Sequence, residues 1–368
     1  MDDGWQTEGD QRGYGHCGDW APAESKIPSM REFVGNVHRA GMKFMLWYSV
    51  PYIGKYSKAW SEFENMTLDN LEGDWRVLDP RFPQVREYLI ELYKKAVFEW
   101  ELDGFKLDFV DSFTMPEGYA DHPDSRRDYV SVQEAADQLL KDVICELRKI
   151  KPDILIEFRQ SYTGPLMRTY GNMLRAADCP NDSLSNRLRT IDLRLISRNT
   201  AVHSDMLMWN FKETAAQAAL QLIHVLFSVP QISIRLEKAP EEHIKMLKFY
   251  LGFWRENREV LLGGKLHVQM PEANYTAVTA DTKKRCVSAT YGGIIDLNGQ
   301  GKEEMVFVNG TLQESVFIRN MGDNLSLAYQ VQDCCGDVVK EGKRAIPKGI
   351  SEWVVPAAGI LTMRHLKA

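Results

Sequence analysis

Lys106 and Asp108 stand two residues apart in the stretch Gly104-Phe105-Lys106-Leu107-Asp108-Phe109-Val110-Asp111. Phe105, Leu107 and Phe109 alternate with Lys106, Asp108 and Val110, the period of two that marks a strand. Residues two apart on a strand share a face. The amine and the carboxylate therefore point the same way, and each holds the other charged. Facing a pocket, that pair is chemistry; facing only itself, it is an ion pair at a barrel mouth, and the octet alone leaves both open. A second carboxylate, Asp178, ends another stretch that reads as a strand, Met173 to Asp178. Its position near Ser183 also suits a helix cap. The first thirty residues add Asp2, Asp3, Gly4, Trp5, Gly18, Asp19 and Trp20 with no regular period. Carboxylates accept hydrogen bonds from hydroxyls and aromatic rings cover the apolar face of a sugar, though an ordinary surface loop has the same composition.

The elements that must position these residues alternate. The spacing predicts a helix over residues 29–40 with Ser29 as N-cap and Gly41 at its stop, then a buried strand Met42–Val50 ending in Trp47-Tyr48-Ser49. Pro51–Arg81 reads as a long irregular segment containing Trp60 and Trp75; loops of that length in compact domains usually carry function. Helical periods cover Val85–Leu102 and Tyr129–Ile150 on either side of the Lys106/Asp108 strand. Ile154–Gln160, Met173–Asp178, Asp205–Asn210 and Gln231–Glu237 read as strands, and Leu184–Ser197, Thr214–Ser228 and Glu241–Leu262 as helices. The helix Leu184–Ser197 has a basic face of Arg187, Arg189 and Arg194. Six strands, each followed by a helix, suit a β/α barrel or a doubly wound sheet; a closed barrel needs eight. After Gly263-Gly264 the helical periods vanish. Short alternating runs at Tyr275–Thr279, Glu304–Val308, Ser315–Ile318 and Leu327–Val331 predict an antiparallel β-sandwich. The expected domains are thus 1–263 and 264–368.

Composition sets the outer bounds. The chain has 368 residues, 44% hydrophobic and 26% charged, ordinary for a globular protein. A net charge of −6 argues against nucleic acid as the main partner. No apolar run reaches the ~18 residues of a membrane span. Met1-Asp2-Asp3-Gly4-Trp5 lacks the basic and apolar parts of a signal peptide, and the six cysteines form no CxxC pair. The expectation is a cytoplasmic chain with free thiols, no metal and no cofactor.

Four motifs in consistent order carry a resemblance: Asp2-Asp3-Gly4-Trp5, Leu46-Trp47, Lys106-Leu107-Asp108 and the segment around Asp178. Over about residues 1–262 the chain resembles the retaining α-galactosidases of glycoside hydrolase clan D, nearest to family 36, including its raffinose-synthase branch. The resemblance implies a (β/α)8 barrel with a C-terminal β domain and a small carbohydrate as ligand. It implies that Asp108 is the nucleophile and Asp178 the acid/base, with Asp182 as fallback because Cys179-Pro180-Asn181-Asp182 carries one residue more than the family pattern. It also implies that Asp2, Asp3 and Lys106 bind sugar hydroxyls and that Trp47 lines the sugar subsite; Arg159 and Arg187 join them as substrate-binding candidates. The residue types suit double displacement, which needs two carboxyl groups about 5–5.5 Å apart on opposite sides of the glycosidic bond. One must stay ionised, which Lys106 favours for Asp108; the other must give and later take a proton.

Two departures from the family pattern stand out. Arg159, in Glu157-Phe158-Arg159-Gln160-Ser161-Tyr162-Thr163-Gly164-Pro165, occupies the place of a cysteine. The Asp-Asp-Gly-Trp motif, which ends the family's second barrel strand, opens this chain, so strand one and most of strand two are expected to be absent and the barrel open. Two other functions stay in view: a Schiff-base lyase or isomerase using Lys106, and a sugar-binding protein without catalysis.

Overall fold

The structure is a computed structural model that describes residues 1–6, 13–68, 73–118, 121–297 and 302–365. The chain packs as two compact units, Met1–Leu174 and Arg175–Ala368.

The first unit contains helix α1 (Met30–Arg39), strands β1 (Met45–Ser49) and β2 (Tyr52–Gly54), helix α2 (Trp60–Phe63), strand β3 (Trp75–Val77), helix α3 (Pro83–Trp100), strand β4 (Gly104–Asp108), helix α4 (Val132–Ile150), strand β5 (Leu155–Arg159) and helix α5 (Met167–Tyr170). Ser29 caps α1, its side chain accepting from the Glu32 amide, and Gly41 follows at φ +79, the left-handed turn that glycine makes without steric cost. β1 pairs in parallel with β4, Trp47 opposite Lys106 and Ser49 opposite Asp108; β4 pairs in parallel with β5, Lys106 opposite Glu157. The stretch Pro51–Arg81, predicted irregular, holds the β2–β3 hairpin with Tyr52 opposite Val77. The other edge of β1 receives the first residue: the Met1 amine donates to the Met45 carbonyl at 2.7 Å and Met1 O accepts from the Trp47 amide at 3.0 Å. That pairing brings Asp2 within reach of the Lys106 side chain of β4. One apolar core, including Trp5, Tyr48, Tyr93, Phe105, Leu139 and Phe158, joins the sheet to its helices.

Strand β6 (Met173–Arg175) leads into the second unit. There follow helix α6 (Ser183–Ser197), strand β7 (Ala201–Leu207), helix α7 (Ala215–His224), strand β8 (Val229–Ile232) and helix α8 (Glu241–Gly263). The parallel sheet runs β1-β4-β5-β6-β7-β8, six strands among the described residues, as the sequence predicts. Three strands differ in extent from expectation. β6 stops at Arg175, so Asp178 lies three residues beyond it. β7 begins at Ala201 and carries Asp205 inside it, where an ion pair with Arg175 and a 2.6 Å bond from the Cys179 amide satisfy the buried carboxylate. β8 ends at Ile232, ahead of a 3₁₀ turn at Leu236–Lys238.

After α8 come strands β9 (Lys265–Gln269), β10 (Ala277–Asp281), β11 (Arg285–Thr290), β12 (Ile295–Asp296), β13 (Glu304–Asn309), β14 (Ser315–Asn320), β15 (Leu325–Gln332), β16 (Val338–Ile346), β17 (Gly349–Val354) and β18 (Ile360–His365). They form a seven-stranded sheet, β16-β15-β18-β13-β11-β10-β9, and a three-stranded sheet, β12-β14-β17. Met305, Phe307, Leu361 and Met363 of the larger sheet share a core with Val316, Ile318 and Trp353 of the smaller, the packing of a sandwich. The expected antiparallel pattern has two exceptions: β11–β13 and β12–β14 are parallel. The chain leaves β11, passes through β12 in the other sheet and re-enters in the original direction.

Candidate active site

Asp108 is the last residue of β4 and is 4% exposed. Phe109 then turns into the left-handed region at φ +59, a conformation costing a non-glycine residue about 1–3 kcal/mol. The turn aims the Phe109 amide back at Asp108 Oδ1, at 2.8 Å. Two further donors meet the same oxygen, Arg159 Nε at 2.6 Å and the Tyr162 hydroxyl at 2.6 Å. Oδ2 accepts from the Trp47 indole nitrogen at 2.8 Å and has Lys106 Nζ at 4.0 Å. Burial by itself pushes the Asp108 carboxyl up; the bonds from Tyr162 and Trp47 and the charges of Arg159 and Lys106 outweigh it and hold the group below its usual value. Asp108 is therefore a buried, oriented carboxylate that stays ionised.

The residues around it were partly foreseen. Lys106 Nζ donates to Asp2 Oδ2 at 2.8 Å, so β4 and the pairing of Met1 on β1 bring Asp2, Lys106, Asp108, Trp47 and Arg159 together. Asp3 Oδ1 accepts from the Gly4 amide at 2.7 Å and from Gln6 Nε2 at 2.8 Å, which orders the turn that carries Asp2. Lys106, held between Asp2 and Asp108, is in an ion-pair setting rather than the apolar pocket that activates a Schiff-base lysine. Arg187, in the second unit, is 5% exposed, donates to the Asn274 carbonyl at 2.9 Å and lies over the Tyr291 ring at 4.0 Å.

An aromatic wall borders Asp108. Tyr14 meets Tyr52 at 5.0 Å, Phe109 at 5.3 Å and Trp75 at 5.5 Å between ring centroids, and Tyr52 stacks on Phe109 at 4.9 Å. Arg159 lies over the rings of Phe109 and Tyr162. Tyr162 and Tyr52 escaped the sequence reading. Both sit outside any periodic run, and only the aromatic content of their loops pointed toward them.

In the second unit Asp178 is well exposed, its side chain 65% accessible, and accepts from Arg175 Nη2 at 2.7 Å. Arg175, 3% exposed, also binds the buried Asp205. Arg189 Nη1 donates to the carbonyls of Ala177 and Asp178 at 3.0 and 2.8 Å, fixing the segment after β6. Asp182 is the N-cap of α6, accepting from the Ser185 amide at 2.9 Å and from Ser185 Oγ at 2.5 Å. The cap that sequence proximity suggested for Asp178 is thus filled by Asp182. Among the described residues no cluster of His, Cys, Asp and Glu is arranged to hold a metal ion, and no helix is long and apolar enough to cross a membrane.

Parallel strands alternating with helices, three of them ending in a charged residue (Asp108, Arg159 and Arg175), followed by a β-sandwich, define a β/α-barrel protein with an appended β domain. No protein-family model matches the sequence, and no curated protein matches it. Solved structures do. The chain is similar to the α-galactosidase AgaA of glycoside hydrolase family 36 from Geobacillus stearothermophilus, with 17% identity, a TM-score of 0.69, and coverage of 99% of this chain and 50% of that one. It is similar to the α-galactosidase from Lactobacillus brevis, with 16% identity, TM-score 0.67, and coverage of 100% and 50%. The maltogenic α-amylase AmyB from Thermotoga neapolitana also matches, with 12% identity, TM-score 0.59, and coverage of 96% and 84%. The chain therefore has the fold of the family 36 α-galactosidases along its whole length, and spans about half the length of those chains.

Proposed function

We propose that this chain is a retaining α-glycoside hydrolase of α-galactosidase type, with residues 1–263 as catalytic part and 264–368 as supporting sandwich. Its ligand is a carbohydrate; AgaA has been solved in complex with stachyose and with raffinose. The observation that carries the reading is Asp108, a carboxylate buried at the C-terminal end of a parallel strand and kept ionised by surrounding donors. In the first half-reaction Asp108 attacks the anomeric carbon while Asp178 protonates the leaving oxygen. In the second, Asp178 takes a proton from water as water displaces Asp108. Lys106 and Asp2 hold sugar hydroxyls, and the rings of Trp47, Tyr14 and Phe109 cover the apolar face. Arg159, bound to Asp108 through Nε and to the Gln160 carbonyl through Nη1 at 3.1 Å, orients the nucleophile. The test is a panel of aryl α-glycosides assayed for turnover, with intact-mass detection of a glycosyl adduct on Asp108. An α-galactoside is expected to react best.

One observation favours a second reading, sugar binding without turnover. Asp178 is held in an ion pair with Arg175, the charge state of a base rather than of the acid that the first step requires. Calorimetric binding of a galactoside, with no release of phenol from any aryl glycoside, would select that reading.

A further inference from the structure

A carboxylate that first attacks and then departs uses its two oxygens differently, and the two oxygens of Asp108 are not alike. Oδ1 accepts three hydrogen bonds, from Arg159 Nε, the Tyr162 hydroxyl and the Phe109 amide, all within 2.8 Å. Oδ2 accepts one, from Trp47. Each carboxylate oxygen offers about two lone-pair sites, so Oδ1 is fully engaged and Oδ2 keeps electron density to share. We infer that Oδ2 is the attacking oxygen, and that Tyr162 is a positioning residue whose hydroxyl holds Oδ1 as the carbonyl oxygen of the glycosyl ester and so favours the second, ester-breaking step. This rests on the hydrolase reading above.

An Oδ2 lone pair forms the bond to the anomeric carbon. The bond to the aglycone oxygen breaks, and that oxygen leaves with its electron pair and the proton from Asp178. Oδ1 is left as the ester carbonyl oxygen, facing its three donors. Water then attacks the anomeric carbon and gives its proton to Asp178, and the Oδ2–carbon electron pair returns to the carboxylate. Negative charge is consumed in the first step and restored in the second. Donors fixed on Oδ1 stabilise the state with charge, and so oppose ester formation and assist ester cleavage. Tyr162 is well placed for this. Its hydroxyl is fixed from behind by the Phe109 amide at 3.1 Å, and burial together with the Asp108 charge pushes its own pKa up, so it remains a donor.

The test compares Tyr162→Phe with the wild-type chain on 2,4-dinitrophenyl α-galactoside, whose leaving group needs no proton. Phenylalanine keeps the ring under Arg159 and removes only the hydroxyl. The expected result is a kcat lowered more than tenfold and a KM lowered in parallel. The ratio kcat/KM should change less than about threefold, with accumulation of the glycosyl adduct by intact mass and a kcat raised by azide. As an independent readout, the adduct formed with 5-fluoro-α-galactosyl fluoride should reactivate more than tenfold more slowly in the variant. If wild type turns over and the variant loses kcat/KM with KM unchanged or raised and no adduct, the Oδ1 assignment is overturned while the hydrolase reading stands. If wild type neither turns over any aryl α-glycoside nor acquires the fluorosugar, the hydrolase reading fails and takes the assignment with it.

Discussion

Strand β4 has a buried aspartate at each end, Asp103 just before its first residue and Asp108 as its last. The two look alike in isolation. Asp103 accepts from Lys151 Nζ, the Phe44 amide and His38 Nε2, each at 2.7 Å. In both, burial raises the pKa and hydrogen bonds more than reverse it. Depressed titration therefore does not distinguish the site. What differs is the end of the strand and the company kept. Asp103 is at the N-terminal end, tied by α1 and by the residues just before β1 and just after α4, where barrels keep their stability. Asp108 is at the C-terminal end, against half-exposed aromatic rings, where barrels keep their chemistry.

Substitution should separate the two ends most sharply at Asp108. Asp108→Gly is expected to lower turnover of aryl α-glycosides at least about 10³-fold, equivalent to about 4 kcal/mol, and azide should restore it with formation of the β-glycosyl azide, by attack on the face that the carboxylate vacates. A variant that keeps near-wild-type turnover would remove Asp108 from the chemistry. Asp103→Ala should act on folding instead. It leaves the Phe44 amide, Lys151 and His38 without their shared acceptor; with Lys151 and His38 still partly in solvent, the loss should be about 1–3 kcal/mol, read as the change in urea-unfolding free energy. If Asp103→Ala folds normally but fails in turnover, the division of labour along β4 is wrong.

The cations at the two ends extend the contrast. Arg159→Ala removes the cation that orients the attacking carboxylate as well as one donor to Oδ1, so unlike Tyr162→Phe it should lower kcat/KM more than tenfold, above ~1.4 kcal/mol, while Lys151→Ala should leave kcat/KM near wild type in whatever fraction folds. Acidification treats both ends alike. Their folded-state pKa values lie below the ordinary carboxylate value. Each contribution to stability is therefore complete above the unfolded value of about 3.9 and is lost as pH falls through the lower folded value. Urea midpoints measured downward from about pH 5 should fall, and fall less steeply in Asp103→Asn. A slope unchanged by that substitution would show that other groups carry the acid sensitivity.

How legible these features were follows from how local each one is. The β4 strand, the helices beside it and the Ser29 cap come from period and neighbouring residue type, and all were readable. So were Lys106 and Asp108 on one face, because alternation fixes faces. Tyr162 was not, because it reaches Asp108 from an irregular loop 54 residues on, and no periodicity governs such a return. The β2–β3 hairpin was missed because three-residue strands are too short to alternate recognisably. Asp205 misplaced the start of β7, since a buried charge reads as a boundary until its partner Arg175 is known. Asp178 was expected to end a strand and instead follows it by three residues, because no Gly or Pro before Pro180 marks where β6 stops.

The smallest expected effect concerns the two carboxylates that compete for the acid/base role. Asp182 caps α6 through Ser185, whose hydroxyl and amide hold its carboxyl below the usual value. A capping residue contributes by satisfying orphan amides of the first turn, and replacing it with alanine costs about 1 kcal/mol. Asp182→Ala should therefore lower the unfolding free energy by about that amount and lower turnover of all aryl glycosides by a common small factor. Asp178→Ala should do the reverse. It removes no cap, so stability should hold within about 0.5 kcal/mol. Its loss of turnover should grow as the leaving group worsens, because only poor leaving groups need a proton. Azide should then yield the α-glycosyl azide from the accumulated ester, the opposite anomer to that from Asp108→Gly. A leaving-group slope that steepens in Asp182→Ala and stays flat in Asp178→Ala would move the acid/base to the cap. The cost in stability would then have to be reassigned too, since one carboxylate cannot hold the Ser185 amide and also swing to a glycosidic oxygen.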